Sequence, residues 1–257
     1  MPDANAIAAY LDALLRTPEI PDYANALNGL QLAGRGPVSH VATAVDFSAV
    51  SVDATIARNA NMLIVHHGMF WGGLQPVTGG AYDRLSKLVA GGVAVYASHL
   101  PLDAHPEVGN NGLLAAALQL TPDSGFARFK TIDVGVSGPS DVDTGVLVDR
   151  ARAFAAAYAG AVVATPFAAG RRTRRWGLCT GAGADSDTIH EALTRGIDTL
   201  IVGEGPHHTA VQARDSGLVI IYAGHYATET LGVRALGERV AREFGIASSF
   251  IDAPTGL

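Results

Sequence analysis

The chain has 257 residues, 48% of them hydrophobic and 16% charged, enough for a well-buried core in one large domain or two small ones and too apolar for intrinsic disorder. A formal net charge of −6 argues against a protein that coats nucleic acid, and no apolar run is long enough to span a bilayer. The single Cys179 cannot make an internal disulfide, and the N-terminal helix-like segment, broken by Asp12 and Arg16, has no basic leader; a soluble, cytoplasmic protein is expected.

In chain order, short apolar, β-branched runs alternate with Ala-rich stretches of helical period. The spacing predicts strands at Val41–Val45, Met62–Val65 and Val93–Ala97, and helices at Ala49–Ala60, Tyr82–Ala90 and Asn111–Leu118. Further along it predicts strands at Ile132–Val136, Trp176–Thr180, Thr199–Val202 and Leu218–Tyr222. The later helices are predicted at Val146–Tyr158, Thr188–Arg195 and Thr209–Asp215. Ser48 and Asp187 stand where helix N-caps belong. Near-continuous apolar strands separated by helices imply strands covered on both faces, hence α/β layers.

The chain also matches itself. RNANMLIVHHG (Arg58–Gly68) aligns with RGIDTLIVGEG (Arg195–Gly205), and GGVAVYASHLPLD (Gly91–Asp103) with SGLVIIYAGHYATE (Ser216–Glu229). The expected fold is two related α/β halves, each a mixed sheet flanked by helices. Residues 1–126 form the first half, joined by the C-terminal segment 226–257, and residues 127–225 form the second. The join is expected near Thr121–Arg128, where TPDSG interrupts both patterns. The bland alternative is coincidence among short Ala/Gly-rich stretches.

The first aligned stretch ends in two adjacent histidines. An alternating strand points His66 and His67 to opposite faces, so both serve one site only where the strand ends and the backbone turns, a turn assigned to Gly68. His99, Asp103, His225 and Glu229 follow the ends of other strands, where ligands bind in α/β sheets. A lone histidine after a strand is more often capped or solvent-facing. H-x-x-x-D or H-x-x-x-E alone is weak, since on a helix that spacing only places two side chains on one face. Together, imidazoles and carboxylates at comparable strand exits, between the halves, are what a metal site needs. Five or more ligands exceed one tetrahedral zinc and suit about two divalent ions sharing carboxylates. With no thiolate in the set, zinc, iron, manganese and nickel all fit.

Four motifs carry a resemblance: NGLQ (Asn28–Gln31), IVHHGMFW (Ile64–Trp71), SHLPLDAHPEVGNN (Ser98–Asn111) and AGHYATETLGVRAL (Ala223–Leu236). Through them, and over almost its whole length, the chain resembles the Nif-three-like dinuclear-metal family, often described as GTP cyclohydrolase I type 2, in its short bacterial form. The resemblance implies metal ligands at His66, His67, Asp103, His225 and Glu229, with His99 nearby as a supporting or substrate-facing group rather than a ligand. It also implies a homohexamer, a trimer of dimers, with the metal sites facing an internal cavity. One departure stands out: many members carry an aromatic-Asp pair before the asparagine of the first motif, and here Ala26 and Leu27 precede Asn28. The role of that acidic position is therefore in question.

Glu204, His207 and His208 in GEGPHHTA follow the strand that matches the one before His66. Glu204 reads as a general base or as the partner that orients a histidine; the bland alternative is a turn, with His207 and His208 starting a surface helix. RRTRR (Arg171–Arg175) reads as a solvated hairpin tip ahead of a phosphate site. Asn110 and Asn111 read as caps of the next helix, Cys179 as a small core residue, and Phe70 and Trp71 as core ahead of pocket walls. His40, His105 and His190 carry no functional assignment. No Walker-type phosphate loop occurs, and GAGAD (Gly181–Asp185) is too short for a dinucleotide fingerprint.

The expected function is metal-dependent hydrolysis, with His99 or Glu204 shuttling protons, and ring opening of a purine nucleotide if the family's label holds. The alternative is a non-catalytic metal-binding or regulatory scaffold. The expected partners are further copies of the chain and a small molecule such as a nucleotide, not a membrane or nucleic acid.

Overall fold

In the computed structural model, which describes residues 1–256, the chain opens with α1 (Ala4–Leu15). The Asp3 carboxylate caps it by accepting from the Ala6 amide at 2.8 Å. Ile7, Ala8, Leu11 and Leu15, spaced along one face, are buried. The helix runs through Asp12, whose carboxylate accepts from the Tyr96 hydroxyl at 2.8 Å, and stops where Arg16 turns left-handed.

There follow β1 (Gly29–Leu32), β2 (His40–Asp46), α2 (Ala49–Ala57), β3 (Met62–His67), α3 (Gly80–Gly91), β4 (Ala94–Ala97) and α4 (Leu100–Asp103). Next come α5 (Asn110–Ala117), β5 (Ser124–Phe129), β6 (Ile132–Asp143), α6 (Thr144–Ala156), β7 (Val163–Ala164) and β8 (Arg172–Cys179). The chain closes with α7 (Ser186–Thr194), β9 (Thr199–Val202), α8 (His207–Ser216), β10 (Val219–Tyr222), α9 (His225–Phe244) and β11 (Ala247–Phe250). No helix among the described residues is long and apolar enough to cross a membrane.

Two units result, Met1–Leu102 with Gly232–Ala253, and Asp103–Leu231 with the tail from Pro254. The first holds a five-stranded sheet in the order β1-β4-β3-β2-β11. β11, β2, β3 and β4 are mutually parallel and β1 is antiparallel to β4. Parallel neighbours need crossovers, and α2 and α3 supply them. Ser48 starts α2 with a reciprocal capping box to Ser51. All six residues of β3 are buried, and Leu63 and Val65 pack with Ala42, Val95 and Ile251. Full burial of such side chains stabilises the fold by about 1.5–3 kcal/mol each.

The second unit holds a six-stranded sheet in the order β5-β6-β8-β9-β10-β7. β8, β9 and β10 are parallel, while β5, β6 and β7 add antiparallel pairings. The fold is thus α/β, two mixed sheets flanked by helices. The self-matching stretches occupy comparable places, since β3 and β4 are parallel neighbours in one sheet, as β9 and β10 are in the other.

Several expectations need correction. The units divide after Leu102, not near Thr121–Arg128, because α5 packs on β6 and β8. The N-cap of α7 is Asp185, which accepts from the Thr188 amide at 2.7 Å; Asp187 lies in the first turn. Four of the five residues of RRTRR lie within β8, not at a hairpin tip. Arg172 and Arg174 both bind Asp141, at 2.8 and 2.6 Å, so this basic run is largely neutralised within its own sheet. β1, β5, β7, β11, α4 and α9 lie outside the elements the sequence predicts.

Candidate metal centre

In the first unit, β3 delivers His66 and His67, and His99 follows the end of β4. All three are buried. Their ring centroids lie 4.7 Å apart for His66 and His67, 4.9 Å for His66 and His99, and 5.7 Å for His67 and His99. One nitrogen from each lies within 4.8 Å of the other two, close enough to share an ion. Adjacent strand residues converge because β3 ends at His67, as the sequence requires. Gly68 begins the turn, its carbonyl accepting from the Trp71 amide at 3.2 Å. A Cβ there would collide with the Gln31 side chain and with Ala97, so the glycine also allows close packing.

Each of these rings is held through Nδ1 by an oxygen. His66 Nδ1–H donates to the Ser98 carbonyl, His67 to Asp46 Oδ1 and His99 to Asp22 Oδ1, all at 2.9 Å. An acceptor at Nδ1 places the proton there and leaves Nε2 as the nitrogen with the lone pair. Asp22 also accepts from Asn28 Nδ2 at 2.8 Å and from the Leu100 amide at 2.9 Å. Burial pushes the Asp22 carboxyl up. The hydrogen bond and charge of His99 outweigh it, helped by Asn28 and the Tyr23 amide, and hold it below the usual carboxylate range.

The NGLQ motif acts as scaffolding. Asn28 Oδ1 accepts from the His99 amide at 2.7 Å, and Gln31 Oε1 accepts from the Met69 amide at 2.7 Å. Trp71 is not core: its ring lies 4.7 Å from that of His67 and 4.4 Å from that of His99.

In the second unit, buried Asp103 accepts from Asn110 Nδ2 at 2.8 Å. Asn111 links β6 to the residue after β8, donating to the Val134 carbonyl at 3.0 Å and accepting from the Thr180 amide at 2.9 Å. Neither asparagine caps α5, whose N-cap is Gly109. His225 opens α9, with Glu229 one turn on. His225 Nδ1 donates to Glu204 Oε1 at 2.7 Å, and Nε2 lies 3.1 Å from Glu229 Oε2. Burial lowers the imidazole pKa, but hydrogen bonds and charge from Glu229, then Glu204, raise it to about 9. Gly181, at φ +63°, makes room for this pair, since a Cβ there would collide with the Glu229 carboxylate.

Glu204 is thus a partner that orients a histidine, while His207 and His208 are exposed in the first turn of α8. His105 caps its own turn, accepting at Nδ1 from the Glu107 amide at 3.1 Å. Cys179 lies in β8, and burial, with Asp103 and other carboxylates around it, raises its thiol pKa.

Sequence reasoning missed Asp22 and Asp46. Asp46 had a signal: it closes an apolar strand and pairs in register with His67, so the criterion that picked out the histidines applies to it. Asp22 had none, since it lies in a loop far along the chain from His99. Asp22, six residues before Asn28, reaches both Asn28 and His99.

The donor set suits a divalent transition metal: imidazoles oriented by oxygen partners, carboxylates, and no thiolate among the expected ligands.

The chain is similar to known proteins over almost its whole length. The model of the Duf34/NIF3 (NGG1p interacting factor 3) family matches residues 2–255. A "GTP cyclohydrolase 1 type 2 homolog" of Deinococcus radiodurans is 37% identical over 98% of this chain and 93% of its own. One of Halobacterium salinarum with the same name is 41% identical, covering 93% and 94%. The solved structure of a protein described as ybgI, of unknown function, superposes with a TM-score of 0.89 at 33% identity, over 99% of this chain and 100% of that one. The chain belongs to the Duf34/NIF3 family.

Proposed function

We propose that the protein is a dinuclear metal-dependent hydrolase. The observation that carries this reading is the common treatment of its histidines: His66, His67, His99 and His225 are each held through Nδ1 by a carbonyl or carboxylate oxygen. That arrangement fixes tautomer and ring orientation in metal-binding histidines. His66, His67, Asp103, His225 and Glu229 would hold about two divalent ions, of zinc, iron, manganese or nickel type. Such ions supply Lewis acidity and a lowered pKa for water.

The chain's own residues would do the rest. Asp22 holds His99 with Nε2 as the basic nitrogen, placed to take a proton from a nucleophile and return it to a leaving group. Glu204 orients His225. Trp71 covers His67 and His99, excluding water from one side. The relatives' shared name supports ring opening of a purine nucleotide as the reaction. Family membership also supports a cytoplasmic homohexamer, a trimer of dimers.

The test is elemental analysis of protein purified without chelator, paired with a GTP turnover assay. The expected result is about two ions per chain and a turnover that Glu229→Ala abolishes. Bound metal with no turnover of GTP would remove the purine reaction and favour a non-catalytic metal-binding scaffold. Absence of metal would sink the centre itself.

A further inference from the structure

Beside His67, within the first unit, lies a cleft of about 490 Å³. Pockets of this size hold a drug-sized organic molecule. Its walls include Phe47, Met69, Trp71 and Leu85. One cation lines it, Arg84 of α3, whose guanidinium carbon lies 5.7 Å from the centroid of the Phe47 ring. The Nε of Arg84 is buried and meets no hydrogen-bond acceptor among the described residues. Two other cations of this unit differ: Lys87 pairs with Asp53 at 2.6 Å, and Arg58 donates to the Phe250 carbonyl at 3.0 Å. Asp46 also lines the cleft, but its Oδ1 already accepts from His67.

A buried guanidinium donor without an acceptor is uncommon and calls for one. Guanidinium is weakly hydrated and planar, and it matches carboxylates and phosphates through paired N–H donors. Aromatic walls favour a flat ring. We propose that this cleft is the substrate-recognition pocket of the metal centre, and that it takes a flat aromatic molecule bearing an anionic group. The anion sits on Arg84, away from the Asp46 carboxylate. The ring lies against Phe47 and Trp71, and the opposite end faces His67. Calling the ligand a substrate rests on the hydrolase reading; the pocket and its ligand chemistry do not.

The probes are 2-naphthoate, its neutral amide 2-naphthamide, and acetate as an anion without a ring. Binding is followed by ligand-observed NMR on the full-length protein, both as purified and after chelator treatment, with metal content measured on the same samples. Naphthoate is expected to bind at least about tenfold more tightly than the amide or acetate, in both preparations. Arg84→Gln should bring acid and amide to within about twofold of each other, and Arg84→Lys should keep the preference for the acid. Melting curves show that each variant is folded. Equal binding of acid and amide to the native protein, or a preference that survives Arg84→Gln, overturns the proposal. Metal present without that preference defeats the pocket alone, whereas the preference without metal defeats the centre alone.

Discussion

His67 and His225 are held in contrasting ways. His67 ends a buried strand, and its Nδ1 meets one carboxylate, Asp46, from the neighbouring strand. His225 opens a helix, about a quarter of its side chain is exposed, and it lies between two carboxylates, Glu204 and Glu229. A strand end buried on both sides fixes a ring by packing, so a single outer oxygen is enough to set its tautomer. A helix start gives less packing, and the ring is fixed by charge instead. The first ring therefore depends most on Asp46, and the second shares its hold between Glu204 and Glu229.

The largest effect expected is from removing a carboxylate ligand. Asp103→Ala or Glu229→Ala should weaken metal binding by more than about 100-fold, beyond the range of outer partners. Competition with a chromophoric chelator measures it, and unchanged stoichiometry would strike the residue from the ligand set.

Next come the outer partners, which sharpen the comparison directly. Asp46→Ala should cost about 10–100-fold in metal affinity, and Glu204→Ala less, because His225 still meets Glu229. Equal losses in the same chelator assay would contradict the distinction between packing and charge.

Gly181→Ala tests the second unit's dependence on a close approach. The left-handed backbone and the collision with Glu229 should destabilise the protein by about 1–3 kcal/mol. Calorimetry should show a fall in Tm of roughly 2–4 °C per kcal/mol. An unchanged Tm would mean that Glu229 moves aside without cost.

The smallest effect concerns acid stability. The folded-state pKa of Asp22 is depressed, so the stability it contributes is present above the unfolded value of about 4 and is lost as pH falls through the folded one. Asp22→Asn should therefore be less stable than the native protein at neutral pH, by about 1 kcal/mol, with the gap closing as the solution is acidified below about pH 4. Urea midpoints across that range provide the measurement, and a gap independent of pH would refute it.

Several residues of the candidate site are legible in the sequence. β3 could be read because its apolar run is unbroken up to His66, and the pair because two adjacent histidines serve one site only where a strand ends. Glu229 could be read from its spacing to His225, which on α9 puts both side chains on one face within contact distance. α9 itself escaped notice because its mixture of small, charged and apolar residues lacks a strong stripe. β11 escaped because ASSF carries little apolar signal; its pairing beside β2 makes it a strand. RRTRR was misread because charge density suggests solvent, whereas Asp141 and the sheet pairing hold those arginines in β8.

By itself the sequence determined the α/β class, the repeated strand pairs and the residues able to hold metal, because apolar period and residue chemistry are local properties. The tertiary structure alone decided that Asp22 accepts from His99, that Trp71 lies against rings instead of in a core, and that Arg84 lines an aromatic cleft. Those facts depend on contacts between loops and strands distant along the chain. Hydrogen bonding and burial act through space, and no spacing along the backbone encodes them.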